Sequence, residues 1–242
     1  MDWLIEAFEP AFMQRALIGS LIAVVATSLV GTWVVLRGLA FLGDALAHGV
    51  IPGIALAVLW GFSPIIGAFV AAIVMSGLVS VVSNRTVVRE DTAIGLLFVG
   101  MLSLGIVIVS RARSFSTEVT ALLFGDVLGV TTSDIRSQLI ATAIVAITTI
   151  VLYRPFLALT FNRDKAQTLG MRPRLAQMAL LALLALSIVA SFQAIGTLLV
   201  FGLLVGPPAT ASLMARRVPA IMLLSMLLGA VAVVAGLLVS FH

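Results

Sequence analysis

An aspartate and a histidine stand four residues apart in Leu42-Gly-Asp44-Ala-Leu-Ala-His48-Gly-Val-Ile-Pro52-Gly53. In a helix that spacing puts both side chains on one face. Carboxylate oxygen beside imidazole nitrogen is a donor set for zinc or manganese, and its mixed hardness does not choose between them. The flanking sequence is apolar, and an ionisable residue within an apolar span is costly enough to point to function. Pro52 cannot donate to the carbonyl of His48, so a kink is expected there, with that carbonyl left free beside the imidazole. Gly49 and Gly53 would let a second helix or a symmetry mate approach closely. Two ligands are too few for a tight site, because zinc commonly takes four and manganese more. Two copies of the chain about a two-fold axis would supply four. The competing reading is an Asp–His hydrogen bond that only packs the bundle.

The elements that must hold this pair follow from composition. Of 242 residues, 62% are hydrophobic and 10% charged, more apolar surface than one soluble core can hide, so lipid is the natural solvent. Apolar runs of about 20 residues recur along the chain, the length that crosses about 30 Å of hydrocarbon as helix. The alternating pattern of a membrane β-barrel is missing. The expected fold is all-α, a polytopic transmembrane helical bundle in a single domain over 1–242. About eight spans are expected, at 16–36, 39–60, 63–83, 92–110, 136–153, 174–194, 196–214 and 219–241.

With the N-terminus outside, the inner connections hold Arg37, Arg85, Arg89, Arg154, Arg163, Lys165, Arg172, Arg174, Arg216 and Arg217. Only Arg15, Arg111, Arg113 and Arg136 stay outside, as the positive-inside rule asks. His48 then lies about 16 Å along its helix from Arg37, close to the midplane. That topology also explains the net charge of +4 without nucleic acid. No signal peptide is expected, since the N-terminal residues are acidic rather than basic. The absence of cysteine excludes disulfides and thiolate metal sites within this chain. No GxxxxGK[ST] phosphate loop appears, so the chain is not itself an ATPase and no enzyme activity is expected of it.

Three other segments carry weaker signals. The stretch 114–135 contains Ala121–Val130, apolar but for Asp126 and too short to span, which fits a re-entrant or interfacial helix. Asp126 reads as a cap or loop contact rather than a ligand. The longest polar connection, 154–174, holds helix formers ending at Gly170, which reads as a solvated loop or as a short helix docking a cytoplasmic partner. Gly202-Leu-Leu-Val-Gly206-Pro207-Pro208 should break or kink a helix, freeing the carbonyls of Leu203 and Leu204, while the Gly202/Gly206 spacing marks close packing. Pro52, Gly206, Pro207 and Pro208 are thus candidate hinge or gate residues. His242, the methionines and the phenylalanines carry no functional signal.

Taken together, the chain resembles the metal-type ABC permeases, the membrane subunits of bacterial zinc, manganese and iron importers. The resemblance rests on Leu36-Arg-Gly-Leu-Ala-Phe-Leu-Gly-Asp-Ala-Leu-Ala-His-Gly-Val-Ile-Pro-Gly53, on Arg89-Glu-Asp-Thr-Ala-Ile-Gly95, and on Ala190-Ser-Phe-Gln-Ala-Ile-Gly-Thr-Leu-Leu-Val200 with Gly206-Pro-Pro-Ala-Thr-Ala211. It implies a homodimer in the bacterial inner membrane, served by two cytoplasmic ATP-binding subunits and an extracytoplasmic solute-binding protein that delivers the ion. It implies that Asp44 and His48 line the path of a transported Zn2+ or Mn2+, with no permanently bound cofactor. It also places a coupling helix to the ATPase at about 162–171, with Arg163, Asp164, Lys165, Leu169 and Gly170 at that contact. Members of the family usually continue past the position of His242, so a chain shortened at its C-terminus is expected. Rival readings are a permease for an iron chelate or cobalamin, a stand-alone proton-coupled metal transporter or channel, and a membrane scaffold without a ligand.

Overall fold

The computed structural model describes residues 10–85, 90–111, 131–161 and 172–241. These form nine helices with no strand among them: α1 (Ala11–Leu36), α2 (Ala40–Gly49), α3 (Ile51–Trp60), α4 (Pro64–Arg85), α5 (Glu90–Arg111), α6 (Thr132–Val151), α7 (Tyr153–Phe161), α8 (Pro173–Met214) and α9 (Val218–Phe241). The all-helical expectation holds. Seven stretches are long and apolar enough to cross a membrane, one of them made of α2 and α3 together, and Leu199–Met214 is a shorter apolar helix beside them. The expected spans 174–194 and 196–214 correspond to the two parts of α8.

Helix α1 is the hub. It packs on α8, α9 and α6, and its apolar window is 67% buried. Its Trp33 is fully buried and meets Tyr153 and Phe156 of α7 edge-on, with ring centroids 5.5 and 5.6 Å away. Each such aromatic pair contributes about 0.5–1.5 kcal/mol beyond its area, which ties the short α7 to the bundle. Within lipid these contacts count as van der Waals packing rather than water release. Several hydroxyls in the bundle are satisfied by their own helix. Those of Thr27, Thr32, Thr160 and Thr210 donate to carbonyls four residues back, and that of Ser212 to one three back.

Helix α6 begins four residues earlier in sequence than the expected 136, and the reason is local. Thr131 and Asp134 form a capping box: the Asp134 N–H donates to Thr131 Oγ1 at 3.3 Å, and the Thr131 N–H donates to Asp134 Oδ2 at 3.0 Å. Thr131→Ala removes the cap, at a cost of about 1 kcal/mol. The expected result in a thermal melt of the purified protein is a Tm lower by about 2–4 °C. The remaining part of 114–135, including Asp126, lies outside the described residues.

The proline expectation at 206–208 needs correction. Backbone angles through Gly206, Pro207 and Pro208 are helical, and the interruption in α8 lies at Gly196, with φ 76° and ψ 159°. That region of backbone space is held essentially by glycine alone. A straight helix of 42 residues would reach about 63 Å, twice the hydrocarbon thickness, so the chain has to bend within it. After the bend it follows α1, with Leu204 against Gly31. The Leu204 carbonyl, which Pro208 cannot serve, is seated on Gly31, where a Cβ would overlap it. The helix is continuous past the prolines at this close approach. Gly202 and Gly206 do not mark packing within this chain, because both are exposed in it and a Cβ on either would meet nothing of it.

Candidate functional site

The spanning segment Ala40–Trp60 is made in two pieces. Helix α2 stops at Gly49, Val50 turns, and α3 restarts with Pro52 in its first turn. Proline is favoured there because its missing N–H would have no helical partner anyway. The break expected at Pro52 is therefore present. The His48 carbonyl lacks a helical donor at Pro52, as expected, and the Val50 N–H is turned toward it. Gly49 and Gly53 are consumed inside this chain rather than by a symmetry mate. A Cβ on Gly49 would strike Met75 of α4, and the chain at Gly53 lies against Gly67 of α4 so closely that a Cβ on either would meet the other's carbonyl oxygen.

Asp44 and His48 come together as the spacing predicts. His48 Nδ1 lies 3.3 Å from Asp44 Oδ1 and 3.1 Å from the Asp44 backbone carbonyl. Two oxygens facing Nδ1 hold the proton on that nitrogen, so the Nε2 lone pair is free for a metal ion. The carboxylate of Asp44 keeps its other oxygen, Oδ2, available as a hard ligand. A pair serving only to pack the bundle would make the same contact, but it would be buried. Here His48 is 20% and Asp44 29% exposed, on a segment that the membrane must otherwise cover. Measured from Ala40, His48 is about 12 Å along the helix, nearer the middle of the 21-residue span than either end.

Phe98 of α5 forms one wall. Its ring stands edge-on to the His48 imidazole at 5.8 Å and to Phe41 at 6.1 Å. Sequence reasoning missed Phe98, since it sits 50 residues away in an apolar helix with nothing to distinguish it from other phenylalanines. Among the described residues no group of three or more His, Cys, Asp and Glu converges on one point. A single copy therefore brings together no more than two such side chains at the pair from the described residues. Of the hinge candidates, Pro52 lies at the turn just after the pair, whereas Gly206, Pro207 and Pro208 lie on the second part of α8. The coupling residues Arg163, Asp164, Lys165, Leu169 and Gly170 lie outside the described residues, in the connection between α7 and α8.

Comparison with known proteins follows the same outline. The ABC 3 transport family matches residues 9–242. The manganese import system permease protein ScaB of Streptococcus parasanguinis is 35% identical over 230 residues, 95% of this chain and 82% of ScaB. The chelated iron transport system membrane protein YfeD of Yersinia pestis is 33% identical over 237 residues, 98% of this chain and 80% of YfeD. Among solved structures, PsaBC from Streptococcus pneumoniae in complex with Fab superposes with a TM-score of 0.83 at 28% identity, covering 99% of this chain and 92% of that one.

Proposed function

Because the chain belongs to the ABC 3 transport family, as a permease of the metal type in the bacterial plasma membrane, we propose that its cargo is a bare divalent transition-metal ion, manganese before zinc. The carrying observation is the partly exposed Asp44–His48 pair inside a spanning segment, with His48 Nε2 and Asp44 Oδ2 free to bind. The names of the relatives lean toward manganese, through ScaB, and toward chelated iron, through YfeD. The pair itself suits a naked ion better than a chelate, whose metal already has its ligands.

A second copy of the chain completes the site. Two ligands per copy give four about a two-fold axis, and α5, which walls the pair, is the least covered span, with 17% of its window buried. A solute-binding protein docks outside and releases the ion between the two copies. Asp44 and His48 of both hold it briefly, and ATP-driven closure of cytoplasmic partners, acting through 162–171, opens the path inward. The ion stays bound by few, exchangeable ligands, so it can leave again.

The test is metal uptake into proteoliposomes that hold the chain with its ATP-binding and solute-binding partners. Manganese uptake that requires ATP and is lost in His48→Ala is the expected result. Uptake without ATP would place the protein among stand-alone proton-coupled transporters. Uptake of chelated iron alone, indifferent to His48, would make it a chelate permease.

A further inference from the structure

Leu204 sits where two glycines have made room for it. It is fully buried, and a Cβ on Gly43 of α2 would come within 2.7 Å of its Cδ2. On the other side its carbonyl, left without a helical N–H by Pro208, rests on Gly31 of α1, where a Cβ would also come within 3.0 Å of Pro208 Cγ. One residue of the segment beyond the Gly196 bend thus touches α1 with its backbone and α2 with its side chain. The contact on α2 falls at the residue immediately before Asp44.

We infer that Leu204 is a positioning residue for the Asp44–His48 pair, fixing the height and rotation of α2 and linking the pair to the segment that follows Gly196. Its isobutyl group fills the notch at Gly43, so α2 cannot roll or slide toward α8 without meeting it. Movement of the segment after the Gly196 bend therefore carries α2, and with it the carboxylate and imidazole. Packed contacts with two discrete arrangements are the kind that transmit displacement. The consequence for ion binding rests on the function proposed above; the mechanical link does not.

Leu204→Ala opens the notch, and Gly43→Ala in the same chain puts a methyl group back into it. Leu203→Ala is the control, because this neighbour on the same helix faces away, toward Met13 and Ser20. In the assembled transporter, amide hydrogen exchange of residues 40–49 is expected to rise about tenfold in Leu204→Ala. It should stay at the wild-type rate in Leu203→Ala and return most of the way in the Leu204→Ala/Gly43→Ala pair. The KM for Mn2+ uptake should follow the same order, rising about five- to tenfold in Leu204→Ala. Should that variant not fold, Leu204→Val makes the same comparison with one methylene removed. Equal exchange in Leu203→Ala and Leu204→Ala, or no recovery in the double variant, overturns the assignment. The expected exchange pattern in a protein that transports no metal would keep the link and remove the transport reading.

Discussion

Asp44→Asn should lower manganese uptake on the order of 100-fold while leaving the folded protein intact. Asparagine keeps an oxygen that can accept the His48 Nδ1–H, so the contact at 3.3 Å can persist. What it loses is the negative charge and the carboxylate oxygen that would meet the ion. Removing even an outer-sphere partner of a metal site commonly costs about 10- to 100-fold, and a direct ligand belongs at or beyond the upper end. A pair that merely packs the bundle would tolerate this substitution. Uptake within a few-fold of wild type, at equal membrane abundance, would therefore refute the ligand role of Asp44. The paired measurement, His48→Gln, tests the other donor, since glutamine offers no imidazole lone pair.

The second large effect concerns Gly53 and Gly67, where α3 and α4 meet. Each lacks the Cβ that would collide with the other's carbonyl oxygen. The obstruction is backbone, which cannot rotate aside as a side chain can. Overpacking commonly costs about 1–3 kcal/mol, and a rigid carbonyl in the way puts Gly53→Ala at the top of that range. The expected readout is a Tm lower by about 5–10 °C in detergent, with a loss of folded yield. Gly77→Ala, also on α4, meets nothing within 4 Å, and should be neutral or stabilising by about 0.5–1 kcal/mol through helix propensity alone. Similar melting temperatures for the two variants would mean that α3 and α4 can separate without cost.

The Asp44–His48 pair was legible because its signal is local: two ionisable residues at helical spacing in an apolar run, followed by proline. The spans were legible for the same reason, since hydropathy over about 20 residues needs no knowledge of neighbours. The division between 174–194 and 196–214 falls at the bend that Gly196 makes. Reading Gly206-Pro-Pro as a break failed because the outcome depends on what lies opposite. Here the orphaned Leu204 carbonyl finds Gly31, 173 residues earlier in the chain, and the helix runs on. Gly202 and Gly206 have the spacing of a packing motif but face outward, whereas among the true close approaches Gly49 and Gly53 share that spacing and Gly31, Gly43 and Gly67 do not. Phe98 and the packing of the Leu204 side chain escaped for the same cause: what these groups touch is set by partners that only folding supplies.

The hydroxyls of Thr27, Thr32, Thr160, Thr210 and Ser212 each bond to a carbonyl of their own helix. Those bonds travel with the helix that owns them. When one such helix slides along another, none of the five has to be broken and remade in a medium that offers no water to take its place. What resists the motion at those points is the fit of one apolar surface over the next. At the fully buried Thr27 and Thr32 the seam along α1 therefore behaves as a dry bearing rather than a latch, with the polar group sealed inside the moving part.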